Sequence, residues 1–270
     1  MKKMRKSNLI ILAGLLCLCY PFAAILFNNA QTAARIEQQQ SEAGSFGQQK
    51  IEQELSLADA YNETYKDRNP LLKLSDEEYQ EYLQTLNPYG DGVMGVIEIP
   101  SIELKLNIAH TTEPDVLETQ IGHYETSALP IGGIGTRTAL FGHRGLPTQS
   151  LFTRLNELKD NDLILITVLN RKMAYRVIDT FVTNPEDHSY MVPDKDKDEL
   201  VLVTCTPFGI NNKRLIVLAE RSELPPAQET KTGIPMEVWV LVSLTIMAAG
   251  VWILYRIKKK TDSKNLSHPQ

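Results

Sequence analysis

Two long apolar stretches, residues 9–27 and 238–255, lie near the ends of the chain and enclose a region whose hydrophobic periodicity changes from helical to strand-like. Lys2, Lys3, Arg5 and Lys6 precede the first stretch; the second holds no charge and is followed by Arg256, Lys258, Lys259 and Lys260. At about 1.5 Å per residue, each approaches the roughly 30 Å of a bilayer's hydrocarbon, so both are expected to be transmembrane helices. The first is read as a signal anchor; Ala30-Gln31-Thr32-Ala33-Ala34 leaves cleavage as a signal peptide open. The basic flanks put residues 1–8 and 256–270 in the cytoplasm and everything between the two stretches outside the cell.

Residues 28–50 are rich in Gln, Ala, Ser and Glu with little periodicity, and read as a spacer or a continuation of the first helix. Ile51, Leu55, Ala58, Asn62 and Tyr65 then recur at helical spacing. Ser75 with Glu78 three residues on forms a capping box, and Tyr79, Tyr82, Leu83 and Leu86 mark one face of a second helix. The two helices and the loop between them fill residues 51–91.

Beyond the turn Asn87-Pro88-Tyr89-Gly90-Asp91-Gly92, short β-rich runs take over at 93–99, 104–109, 138–141, 163–168, 174–182, 200–204 and 215–219, with a short helix at 151–158. Several alternate only weakly, as strands buried on both sides of a closed barrel do. The pattern predicts one β-barrel domain over 92–222, a Pro-containing linker over 223–237, and then the second membrane stretch.

Charge narrows the partners. Each end carries +4, from four basic residues at the start and from five against Asp262 at the other end; with −5 overall, residues 28–255 hold −13. A domain this acidic is not a nucleic-acid binder. Of three cysteines, Cys17 and Cys19 fall in the first apolar stretch, which leaves Cys205 alone outside. An unpaired thiol in an oxidising space, with no internal disulfide available to it, is the leading candidate for a nucleophile.

Cys205 ends the run Leu200-Val201-Leu202-Val203-Thr204 and enters Thr206-Pro207-Phe208-Gly209, a strand end at the rim of a sheet; a buried core cysteine is the alternative. A thiol nucleophile needs a proton-transfer partner. His143 follows the strand Thr138-Ala139-Leu140-Phe141-Gly142 and is preferred to His123, in Gly122-His123-Tyr124; His110 reads as strand-terminal and His188 as a solvated loop residue. Arg214 opens the last strand nine residues after Cys205, so that pairing of the flanking strands would set the two face to face. Its fixed donors suit a carbonyl oxygen gaining charge, although an isolated strand arginine is more often a surface residue.

The segments Leu202-Val203-Thr204-Cys205-Thr206-Pro207-Phe208-Gly209-Ile210-Asn211 with Arg214-Leu215, Phe141-Gly142-His143-Arg144-Gly145-Leu146-Pro147, and Leu129-Pro130-Ile131-Gly132-Gly133 resemble the sortase family, and within it the pilin-polymerising class C. The similarity runs over about residues 92–221. It implies a mainly β fold: a closed sortase-type barrel with short helices, preceded by two N-terminal helices and flanked by the two transmembrane helices. It also implies that Cys205 attacks the Thr carbonyl of an LPXTG-like sorting signal, that Arg214 stabilises the oxyanion, and that His143 protonates the departing amine. The acyl group would then pass to a pilin lysine.

The partners so implied are pilin subunits or other surface proteins with such signals, and the membrane. Thr204 and Thr206 are the candidate substrate-binding residues. Class C members often carry a lid with an Asp-Pro-aromatic motif; here Asp67-Arg68-Asn69-Pro70-Leu71 lacks the aromatic, leaving Asp67 and Leu71 as candidate lid residues.

Neither a cofactor nor a metal is expected: Asp194, Asp196, Asp198 and Glu199 are interrupted by Lys195 and Lys197, lack the glycine of a calcium loop, and read as a solvated loop. Three alternatives remain at this point: a sortase that attaches proteins to a cell-wall amine, a papain-like protease, and a tethered module without catalysis.

Overall fold

The computed structural model describes residues 6–66, 69–226, 238–243, 245, 246, 249 and 252. The chain divides into two units, Met1–Asn29 with Lys231–Gln270, and Ala30–Thr230. Helix α1 spans Lys6–Ser45 and contains Pro21. It runs on past the apolar stretch through the Gln- and Glu-rich residues to Ser45, so of the two readings of this region the continuation of the first helix is the one observed. Among the described residues no helix is long and apolar enough to cross a membrane. The expected span at 9–27 lies within this helix; of the expected span at 238–255 ten of the eighteen residues are described, and the tail 256–270 lies wholly outside the described residues.

Within the second unit, α1 buries Ile36, Gln39 and Ala43 from one side. Helix α2, Gln48–Tyr65, buries Ile51, Leu55, Ala58, Tyr61, Asn62 and Tyr65, the stripe its periodicity predicts. The Asn62 side chain is hydrogen-bonded to both backbone groups of Leu129, its Nδ2 donating at 3.1 Å and its Oδ1 accepting at 2.8 Å, which fastens α2 to the barrel. Helix α3, Asp76–Gln84, opens with the expected capping box: Ser75 Oγ accepts from Glu78 N and Glu78 Oε2 accepts from Ser75 N.

Eight strands follow: β1 (Val93–Ile99), β2 (Leu104–His110), β3 (Ile121–His123), β4 (Thr136–Phe141), β5 (Leu163–Val168), β6 (Arg171–Thr183), β7 (Asp198–Thr206) and β8 (Lys213–Ser222). They close into a barrel in the order β1-β2-β3-β4-β7-β8-β6-β5, with β2–β3 and β4–β7 parallel and the other pairs antiparallel. A four-residue helix, α4 (Pro114–Leu117), makes the parallel crossover from β2 to β3. Where a helix was expected at 151–158 there is a single 3-10 turn, Leu155–Glu157, because Leu151, Phe152, Leu155 and Leu158 all face the core. Closure removes both sheet edges and lets the interior fill with Leu200, Leu202, Val217, Ile97, Ile108 and their neighbours.

The acidic stretch is not a solvated loop throughout. Asp198 and Glu199 are buried at 6% and 3% exposure in β7, because each has basic or hydroxyl partners. Asp198 accepts from Tyr175 Oη at 3.0 Å and from Gly133 N at 3.0 Å, and Arg221 approaches it at 3.3 Å. Glu199 pairs with Arg137.

Candidate active site

The outer face of β4, β7 and β8 can be followed rung by rung. Strand pairing aligns Arg137, Ala139 and Phe141 of β4 with Glu199, Val201 and Val203 of β7. It aligns Glu199, Val201, Val203 and Cys205 of β7 with Glu220, Leu218, Ile216 and Arg214 of β8. Side chains alternate along a strand, so these residues share one face, and the intervening Leu200, Leu202, Leu215 and Val217 belong to the interior cluster. Ala139, Val201, Val203 and Ile216 are nevertheless buried, because Tyr190 and Met191 of the β6–β7 connection cover them, with Tyr124, Phe141, Phe181 and Leu218 packed around. The cover ends one rung short of the top: Val203 and Ile216 are at 1% and 0% exposure, whereas Cys205 and Arg214 are half-buried.

Cys205 is a free thiol and Arg214 is its cross-strand partner, so the hairpin does set the two side by side. Arg214 Nη1 donates only to the Lys213 carbonyl, at 3.2 Å, and among the described residues no carboxylate pairs with it. Its charge is felt at Tyr190: burial pushes that phenol up to about 12, and Arg214 is the leading influence in the opposite direction. A guanidinium not neutralised by a carboxylate beside a thiol is suited to stabilising an oxyanion formed there.

His143 arrives by a different route. Gly142 N donates to Val203 O at 3.1 Å, which carries the β4–β7 pairing one residue past the strand. Thr204 Oγ1 donates to Gly142 O at 2.7 Å. The next residue, His143, therefore enters at the level of Cys205, half-buried, and its carbonyl accepts from Phe152 N at 3.1 Å. Glycine is required on either side of this turn. A Cβ on Gly142 would stand 2.7 Å from both Phe152 and Ile121, and Gly145, at φ +81°, would meet the Phe208 ring at 2.9 Å.

The two threonines read as substrate-binding brace this turn. Thr204 is 3% exposed, lies on the inward side of β7, and donates to Gly142 O. Thr206 Oγ1 accepts from Arg144 Nη1 at 3.0 Å. Arg144 also donates through Nε to Thr153 O at 3.3 Å and through Nη2 to Asn156 Oδ1 at 2.7 Å. It thus straps the residue after His143 to the residue after Cys205. In the sequence Arg144 is marked only by its place in Gly-His-Arg-Gly, between the histidine and a second glycine.

The other histidines separate from the site. His123 is fully buried; Nε2 donates to Ala128 O at 2.8 Å and Nδ1 accepts from Tyr82 Oη at 3.0 Å. Burial without a counter-charge pushes its pKa down to about 3, which makes it a structural residue fixing α3 to the barrel. His110 ends β2, with ring nitrogens 2.9 and 3.0 Å from Gly92 O and Thr85 O. His188 is exposed.

Of the candidate lid residues, Asp67 lies outside the described residues. Leu71 is 51% exposed; the buried residue of that loop is Pro70, whose carbonyl accepts from Thr126 Oγ1 at 2.6 Å.

Comparison with known proteins agrees with this geometry. A sortase domain model matches residues 97–222. Sortase C1 from Streptococcus agalactiae superposes with a TM-score of 0.70 at 35% identity, over 71% of this chain and 100% of that one. The chain belongs to the sortase family. Sortases are cysteine transpeptidases. A further structural neighbour, sortase C1 of GBS pilus island 1, is 30% identical with a TM-score of 0.65, over 75% of this chain and 96% of the other. The curated relative sortase D of Bacillus subtilis (strain 168) is 32% identical over 130 residues, which cover 47% of this chain and 63% of that protein's length. The sortase barrel thus accounts for the β4, β7 and β8 face.

Proposed function

We propose that this sortase polymerises pilins by transpeptidation at Cys205. The observation that carries the reading is the cross-strand register of Cys205 with Arg214, at the uncovered end of the outer strip, with the His143 turn bound to the same strand end through Thr204 and Thr206. The Cys205 thiolate adds to the Thr carbonyl of an LPXTG-like signal, and Arg214 donates to the resulting oxyanion. Collapse of that intermediate breaks the Thr–Gly C–N bond as His143 gives its proton to the leaving amine. A thioacyl enzyme remains. A lysine amine of the next pilin then attacks it, forming an isopeptide bond and returning the thiol.

The pilin acceptor is favoured by the structural neighbours named sortase C1, one of them from a pilus island. The competing acceptor is a cell-wall amine; the curated relative is a sortase of a different letter, D, whose name specifies neither acceptor. Full-length protein in detergent, given an LPXTG-like peptide with either a pilin bearing its lysine or a peptidoglycan stem-peptide amine, should form at least about tenfold more amide product with the pilin. Equal transfer, or preference for the stem peptide, would assign the cell-wall role.

Tethering belongs to the same proposal. Both termini are placed in the cytoplasm and the barrel outside, on the basis of the apolar stretches and their Lys- and Arg-rich flanks. Protease added to intact protoplasts should degrade the barrel and spare epitopes fused to either end; loss of either epitope would overturn this topology.

A further inference from the structure

The strip below Cys205 ends at a buried ion pair. Arg137 and Glu199 are aligned on adjacent strands, with side chains 9% and 3% exposed. They lie on the same face as Cys205 but three rungs away, about 20 Å along β7 at roughly 3.3 Å per residue. That is too far for either to touch a bond being broken at the thiol. Their remaining contacts all go to one segment. Arg137 donates through Nε and Nη2 to Glu199 Oε2, at 2.9 Å for Nε, and its Nη1 donates to the Tyr190 carbonyl at 2.7 Å. The same Glu199 oxygen accepts from the backbone N–H of Asp194 at 2.9 Å.

The pair therefore holds the β6–β7 connection at two points, one on each side of Met191. Tyr190 and Met191, at 5% and 2% exposure, form the cover over Ala139, Val201, Val203 and Ile216. Without the pair, the connection would keep tethers only near its two ends, Lys213 Nζ donating to Asn184 Oδ1 at 2.7 Å and Gly135 N to Lys197 O at 2.7 Å, while the stretch around Tyr190 and Met191 would rest on apolar contact and one short 3-10 turn, Ser189–Met191.

We propose that Arg137 and Glu199 are positioning residues that fix where the cover stops, and so shape the surface on which the acyl-donor peptide lies beside Cys205. An extended peptide running down the strip from Cys205 meets the edge of that cover within one or two residues. The edge then decides which residues preceding the scissile bond are accepted. This rests on the transpeptidase reading for its substrate, but the mechanical part of it does not.

Two variants of the full-length protein, with a third as an intermediate, test it. Glu199→Gln keeps the volume and removes the charge. Arg137→Met with Glu199→Leu removes both charges together, which keeps the buried site neutral while withdrawing the partners of Tyr190 O and Asp194 N. With an LPXTG-like fluorogenic peptide, either variant should raise KM at least about tenfold and keep kcat within about threefold. Deuterium uptake should quicken across residues 188–194 and stay unchanged in β7 and β8. Alkylation of Cys205 by iodoacetamide should stay within about twofold of wild type. Arg137→Lys, which keeps the charge but not the fork, should fall between.

A folded variant with wild-type KM and wild-type uptake at 188–194 would overturn the proposal, as would unfolding of both variants, which would make the pair part of the barrel core. If the unmodified protein cleaves no such peptide, the transpeptidase reading has failed, and the uptake at 188–194 still decides whether the pair holds the connection.

Discussion

Cys205→Ala is expected to leave no measurable cleavage of an LPXTG-like peptide and no polymer in the presence of pilin. In the proposed mechanism the thiol is the group to which the acyl chain becomes attached, and Cys17 and Cys19 belong to the other unit of the chain. In the same mechanism His143→Ala removes proton transfer alone, so kcat should fall by about 10²–10⁴-fold while peptide binding changes little. His188→Ala, a change at an exposed residue, should stay within about twofold of wild type. Initial rates with a fluorogenic peptide, together with mass spectrometry for a thioacyl adduct on Cys205, measure all three. Full activity in Cys205→Ala would end the nucleophile assignment. Equal losses at His143 and His188 would remove His143 from the mechanism.

Acid should loosen the attachment of α3 to the barrel. His123 is neutral when folded because burial lowers its pKa to about 3, whereas in the unfolded chain it titrates near the ordinary value of 6.5. With the folded value depressed, the unfolded state binds the extra proton. The stability this histidine contributes is complete above about pH 6.5 and is lost as the pH falls towards 3, at up to about 1.4 kcal/mol per pH unit. His110 is lowered by burial too and acts in the same sense. Asp198 is raised by burial and acts in the opposite sense near the carboxylate range.

The comparison of interest is therefore a difference, between urea unfolding of wild type and of His123→Gln at pH 7, 5 and 4. The gap between the two proteins should narrow by roughly 2–4 kcal/mol over that range. A constant gap, or an NMR titration of His123 with a midpoint above about 5, would refute it.

Much of this was legible in the sequence for local reasons. The β5 run Leu163-Ile164-Leu165-Ile166-Thr167-Val168 is a strand at the predicted bounds, because β-branched and aliphatic residues in a short run between turns have few other arrangements. Ser75 and Glu78 announce their capping box three residues apart. Strand β3 was missed because Ile121-Gly122-His123 is too short to show alternation; it is a strand only through pairing with β2 on one side and β4 on the other. The helix expected at 151–158 failed for the converse reason, since its apolar residues bury themselves from an irregular path.

The site divides in the same way. Cys205, His143 and Arg214 could be picked out because unusual residue types at strand ends are local features, and the nine-residue spacing of the hairpin predicted the Cys205–Arg214 register. Where the hydroxyls of Thr204 and Thr206 bond could not be read, since whether a hydroxyl faces the outer strip or the His143 turn depends on which side of β7 lies inside, and that is fixed only when the barrel closes. Arg144, the Arg137–Glu199 pair and the burial of Asp198 were likewise invisible. Each joins residues between 9 and 65 positions apart in the bonds to Arg144, between Arg137 and Glu199 and from Gly133 to Asp198, and no periodicity links such partners. What the sequence by itself determined was the type of most of the longer elements and the candidates for the reactive residues, because those follow from neighbours along the chain. The tertiary structure decided which charges are buried, which hydroxyls are committed and where the cover over the strip ends, because β4 and β7 become neighbours only by parallel pairing across more than fifty intervening residues.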